Sequence, residues 1–141
     1  MATYSKFNQF VEDLAKKVHN LSADTLKVML TNTLPVATNT IAANITEISA
    51  GNGYTATGTQ TTIASCAQTS GTLKLTLNDI TWTASGGSIG PFRYAVLYND
   101  TPTSPADPLI AWWDYGSSIT VLAGETFTWD ANASTGVLTI A

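Results

Sequence analysis

From residue 26 to the C-terminus, β-prone stretches of four to nine residues are separated by turn signals at fairly even intervals. A chain cut this often cannot build long helices, and the rhythm predicts antiparallel strands joined by short turns. Leu26, Val28 and Leu30 alternate with Lys27 and Met29, the pattern of a half-buried strand. Further strands are expected over Thr59–Ala67, Thr72–Ile80 (continued or bent by Thr81-Trp82-Thr83), Phe92–Tyr98, Leu109–Tyr115, Ser118–Leu122, Glu125–Asp130 and Gly136–Ile140. Gly51-Asn52-Gly53, Ala123-Gly124 and Asn132–Gly136 supply turns, and Ala84–Pro91 reads as a loop. About eight strands in a chain of this length indicate a β-sandwich, jelly roll or small barrel.

One segment breaks the rhythm. Phe7, Phe10, Val11, Leu14 and Val18 form a single apolar stripe at helical spacing, so a helix is expected over residues 5–20. Ser5 is its candidate N-cap, Glu12 and Lys16 a favourable pair one turn apart, and His19 a surface residue near the positive-preferring end. The stripe must cover a sheet edge, a sheet face or another subunit. The chain is thus expected to be one domain, 1–141, with an N-terminal amphipathic helix (5–20) ahead of a β-sandwich (24–141).

Two other segments are candidate contact loops. Residues 36–57 are long, polar and rich in Ala, Thr and Asn, and connections of that length are usually functional or disordered. Residues 99–108 carry three prolines and cannot be a central strand.

Charge narrows the function. Asp, Glu, Lys and Arg make up 11% of the chain, against roughly 25% in ordinary globular domains. Threonine occurs 24 times. Such a composition suits a protein packed against neighbours. Four of the six basic residues fall within the first 27 positions; beyond them Lys74 and Arg93 face seven acids. That balance argues against nucleic acid as a partner. The longest apolar runs are far shorter than a membrane span, and no membrane partner is expected. The start, Met1-Ala-Thr-Tyr-Ser-Lys6, does not read as a signal peptide. Without an export signal, the Asn-x-Ser/Thr sequons at Asn20, Asn44, Asn99 and Asn132 carry no functional expectation.

No catalytic constellation is legible. His19 is the only histidine and Cys66 the only cysteine, so a nucleophilic triad or a zinc cage lacks its parts. Cys66 reads as a small core residue. Asp79, Asp100, Asp107, Asp114 and Asp130 are spaced singly, without an EF-hand pattern, and Gly51/Gly53/Gly58 and Gly86/Gly87/Gly90 match no phosphate-binding fingerprint. No catalytic, cofactor or metal residue is assigned, and the protein is expected not to be an enzyme. The aromatics Trp82, Trp112, Trp113, Trp129, Tyr94, Tyr98 and Tyr115 have three readings: core, protein interface or carbohydrate platform. Strand alternation sends Trp112 and Trp113 to opposite faces.

Several runs together carry a resemblance. They are Tyr4–Leu14, Leu26–Asn32, Gly90-Pro-Phe-Arg-Tyr-Ala-Val-Leu-Tyr-Asn-Asp100 with its Pro-rich continuation, Ala123–Asp130 and Gly136–Ile140. Across nearly the whole chain these resemble the capsid decoration (cement) proteins of tailed phages. The resemblance implies a jelly roll and attachment to the outer surface of an HK97-type shell. Its implied partners are the major capsid protein and the chain itself, as a dimer or trimer, in a virion assembled in the host cytoplasm. Candidate interface residues are Phe7, Phe10 and Leu14 if the helix packs outward, with Trp113, Asn99, Asp100, Pro102 and Pro105. The rival reading is a carbohydrate- or receptor-binding module of a tail or fibre.

Overall fold

The computed structural model describes residues 2–141 and opens on a strand where a helix was expected. β1 (Thr3–Lys6) pairs antiparallel with β8 (Leu109–Val121) and sets Ser5 opposite Trp112. Ser5 is therefore a ladder residue, and the helix-capping position falls to Asn8, whose side chain makes no capping bond. Helix α1 spans only Gln9–Ala15. The sheet takes up the backbone of Thr3–Lys6, and Lys17 at φ +65° ends the helix in the left-handed conformation usual at helix C-termini. Glu12 and Lys16 form the expected ion pair on the exposed flank. The apolar stripe packs on its own domain: Phe7 is buried in one hydrophobic cluster, and Phe10 is buried in another with Leu14 half-buried against it.

Ten strands form three antiparallel sheets. In the largest, β2 (Leu26–Thr31), β3 (Thr59–Thr61) and β7 (Ile89–Asn99) join β1 and β8 in the order β1-β8-β7-β2-β3. A second sheet has β4 (Ile63–Thr69), β5 (Thr72–Leu77) and β10 (Leu138–Ile140) in the order β10-β5-β4. The third pairs β6 (Ile80–Thr83) with β9 (Thr126–Trp129). Four expected strands divide or merge. The Thr59–Ala67 stretch divides at Thr62 and passes from the large sheet to the second. The 72–83 stretch breaks at Asn78-Asp79, and the two strands expected over 109–122 are one, with Tyr115–Ser118 standing out of its ladder with β7.

The two smaller sheets together face the five-stranded sheet, and their apposed side chains make the main core. Leu26, Val28 and Leu30 of β2 and Ala95 and Leu97 of β7 meet Leu75, Leu77, Ile80, Trp82, Trp129 and Leu138. This is the β-sandwich, with its single helix. A second cluster lies on the opposite face of the large sheet, where Phe7, Met29, Tyr94, Val96, Tyr98, Leu109 and Trp112 are buried. β2 was expected to be half-buried but is covered on both faces. Burying side chains of this size contributes roughly 1.5–3 kcal/mol each, so the second cluster is a substantial part of the fold's stability.

Gly58 shows how closely the loops are laid on the sheet. At φ +80°, a methyl group there would overlap the Val28 carbonyl and lie 2.8 Å from Met29 Cα. Gly71, in the β4–β5 turn, has a similar φ of +85° but open space around it. Gly58→Ala is expected to destabilise the protein by about 3 kcal/mol, through backbone clash added to left-handed strain. Gly71→Ala, paying for strain alone, is expected to cost about 1 kcal/mol. Urea unfolding of both variants measures the difference; equal losses would show that packing at Gly58 contributes nothing.

Candidate functional site

The three segments singled out as contacts converge on one face. The covering layer over the second cluster is assembled from Phe7 at the head of the helix, the 36–57 passage and the Pro-rich loop, while the helix itself seats Phe10 and Leu14 in the main core. Asn8 N–H donates to the Ala37 carbonyl at 2.9 Å, Ala42 N–H to Asp107 at 2.9 Å, and Leu109 N–H to Thr40 at 3.0 Å. Ala37, Ala42 and Ile45 are the apolar underside of this layer. Its outer surface includes a shallow groove of about 390 Å³ where Glu12 and Lys16 of α1 meet Thr40 and Pro105. Earlier in the same stretch of chain, Leu34 and Val36 are 61% and 55% exposed, flanking the buried Pro35.

The 36–57 passage, expected as a candidate contact loop, is fixed in place. Thr31 Oγ1 donates to the Thr46 carbonyl at 2.5 Å, and Ile48 N–H donates to Leu30 at 3.1 Å. The buried Tyr54 hydroxyl donates to Glu47 at 2.6 Å and accepts from Leu30 N–H at 2.9 Å. Burial, with the bond to Glu47, pushes its ionisation far above the ordinary tyrosine range. Tyr98 reaches across to the Thr57 carbonyl at 2.5 Å. Tyr54 and Tyr98 are thus the pins of the layer. Their hydroxyls carry no sequence signal that would distinguish them from other tyrosines.

Of the eight proposed interface residues, three remain at the surface. Pro105 is exposed and Pro102 half-buried, and Asp100 is ion-paired to Lys27 at 3.0 Å with a third of its side chain exposed. Phe7, Phe10 and Leu14 are committed to the chain's own core, as already described, and Asn99 is fully buried. Trp113 is half-buried, with Tyr4 and Trp129 edge-on to it at 5.5 and 5.2 Å. Trp112 and Trp113 do take opposite faces, but both are packed within the chain.

Asn99 is instead the centre of an internal polar network. Its side-chain amide donates to His19 Nδ1 at 3.1 Å and to Asp24 at 2.6 Å, while its carbonyl accepts from Thr101 N–H at 3.0 Å. Accepting at Nδ1 places the His19 proton on Nε2, which has no bonding partner; nor has Asp13 Oδ2. His19 was expected at the surface and is 5% exposed, packed on Phe10. Short-range pattern gave no warning, because the turn after α1 folds it under the helix.

A second concavity, of about 380 Å³, lies at the open side of the sandwich between β7, β8 and β9. Phe92, Trp113, Tyr115, Phe127 and Trp129 line it, with Arg93 and Asp130 among its polar groups. Arg93 is held by Asp114 through two bonds of 2.7 and 3.0 Å. That pairing, with a bond from Gly116 N–H, keeps the Asp114 carboxyl below the usual range. Two further carboxylates accept backbone bonds: Asp79 from Ala131 N–H and Asp130 from Asn132 N–H. Trp82, Trp112 and Trp129 are buried, so the aromatic set is mainly core, and Tyr115, half-exposed, is the most open ring in this groove.

Comparison with protein-family models, curated proteins and solved structures finds no match to this chain.

Burial disfavours the imidazolium and lowers the pKa of His19, outweighing the opposing pull of Asp13 and Asp24. A base whose folded pKa lies below its unfolded value of about 6.5 binds more protons when unfolded, so stability rises with pH through that window. The melting temperature is therefore expected to fall between pH 7 and pH 5.5. His19→Gln should flatten this slope whatever it does to the absolute stability. An unchanged slope in calorimetry would assign the pH dependence elsewhere.

Proposed function

We propose that the chain is a structural virion protein, without enzymatic activity, that decorates the outside of a tailed-phage shell and bridges its major capsid subunits. The observation that carries this reading is the convergence of helix, 34–45 segment and Pro-rich loop on one pinned face. A surface held by its own backbone bonds loses little conformational entropy on docking, which favours binding to a fixed lattice of sites. Leu34 and Val36 project from it as apolar contacts, and Pro105 adds a rigid one. The charge-poor composition lowers the desolvation cost of covering such a face. The resemblance of the runs from Tyr4 to Ile140 to decoration proteins supplies the partner. Bridging is useful there because packaged DNA strains each subunit contact, and a small gain is repeated over the whole shell.

The aromatic groove favours a second reading, a carbohydrate- or receptor-binding module. Its lining of rings with Arg93 and Asp130 nearby offers apolar surface and hydrogen-bonding groups together. Ring faces are scarce, however, because Trp113 and Trp129 meet edge to face.

The two readings separate by experiment. Cryo-electron microscopy of the virion should show ordered copies spanning capsid subunits with the Leu34–Thr40 face against the shell. Leu34→Glu with Val36→Glu should weaken binding to undecorated shells by roughly tenfold or more while leaving the melting temperature unchanged. Unchanged occupancy, or density confined to the tail, would remove the decoration role. Glycan-array binding that disappears on Tyr115→Ala and Trp113→Ala would put the carbohydrate reading in its place.

A further inference from the structure

The sandwich has several free sheet edges, and they are protected unequally. β1 is four residues long and carries Lys6; β3 and β10 have three residues each; β9 has four, between Glu125 and Asp130. Short length and flanking charge are the usual devices that stop edges from pairing. β4 has neither. It is a seven-residue edge, Ile63-Ala-Ser-Cys-Ala-Gln-Thr69, without a charge or a proline.

Its outward-facing backbone can be identified. In an antiparallel ladder a residue turns its N–H and C=O to the same neighbour. The Leu75 carbonyl accepts from Val137 N–H at 2.9 Å, on the β10 side. Leu75 stands opposite Cys66, so Cys66 turns its own groups to the free edge, as does Gln68; Ala64 lies in a bulge of the ladder between Ile63 and Ser65. No backbone bond outside the strand ladder reaches Cys66 or Gln68 among those described.

We propose that β4 pairs with β4 of a second copy, antiparallel about a two-fold axis at Cys66, joining two three-stranded sheets into one of six. The strand itself selects this occupant. Cys66 is the midpoint of Ile63–Thr69, so centring the axis there overlaps all seven residues. The outward groups fall at 66 and 68, so Cys66 meets its equivalent and Gln68 stands opposite the bulge at Ala64 of the second copy. That gives two backbone hydrogen bonds at the facing Cys66 pair, with the Gln68 groups on either side of it. No like charges face each other across the axis, which would oppose self-pairing in a charged strand. The interface is isologous and uses the longest unprotected edge of each chain, so it closes at two. The pairing stands apart from the decoration reading, since it involves the other layer of the sandwich.

Sedimentation equilibrium on the full chain tests the stoichiometry, and the single cysteine tests the register. A dimer is expected, and mild oxidation should link it through Cys66, because facing residues in such a pair lie about 5.5 Å apart at Cα, within disulfide reach. Gln68→Pro removes an outward donor while sparing the ladder to β5, and should raise the dissociation constant by roughly tenfold or more. A second variant, Cys66→Ser, should remain dimeric and lose the crosslink. A monomer at all concentrations would overturn the proposal. So would a trimer, or a dimer that neither crosslinks through Cys66 nor responds to Gln68→Pro while the variant keeps its native circular dichroism spectrum.

Discussion

The central strands of the large sheet are apolar on both faces, and most of the remaining architecture answers that constraint. Val28, Met29 and Leu30 are consecutive buried residues in β2, as are Ala95, Val96, Leu97 and Tyr98 in β7 and Ile110, Ala111 and Trp112 in β8. A strand alternates its side chains, so such runs load both faces with apolar surface. One face is met by the two smaller sheets. The other would be a large exposed patch unless something covered it, and both smaller sheets are already engaged on the first face. Phe7, the residues following Pro35 and the Pro-rich loop are drawn over it instead. The helix is short for the same reason: β1 must lie on β8 to carry Phe7 to Trp112, where the rings sit 4.6 Å apart.

This cover explains what was and was not legible beforehand. Period-two alternation and turn residues were local signals, and they located the sandwich and most of its strands. The apolar stripe at Phe7, Phe10 and Leu14 marked residues that need cover, which the chain itself supplies, but only about two of its four expected turns of helix form, over Gln9–Ala15. Thr3–Lys6 has no strong alternation, and only the free edge of β8 makes it a strand. Likewise Thr62 reads as one more threonine in a β-prone run. That the chain changes sheets there follows from where β2 and β5 lie, which no window of sequence contains.

Polar side chains were the least legible part of the candidate site. Asn99 looked like the first residue of an exposed loop, yet its amide links His19 and Asp24 across some 75–80 positions of chain. A buried asparagine of this kind needs every donor used, and the site meets that requirement with partners from the far end of the sequence. Tyr54 and Tyr98 repeat the lesson. The Tyr98 ring was expected as core, interface or platform and Tyr54 carried no expectation, yet their hydroxyls decide the conformation of the loop. The long 36–57 passage is therefore neither disordered nor free; it is ordered by bonds that only tertiary structure supplies.

The pinned cover and the unprotected β4 edge belong to opposite layers of the sandwich. A two-fold pair formed through β4 would leave both covering faces free, each presenting Leu34, Val36 and Pro105. Two such faces on a rigid six-stranded sheet bind a repeating surface with a shared loss of translational freedom, so modest single contacts give strong attachment when the spacing matches. A symmetric lattice of subunits is the kind of partner for which that matching recurs. The low charge then has a double use: it leaves an edge strand able to meet its own copy, and it leaves a face able to be covered at small desolvation cost.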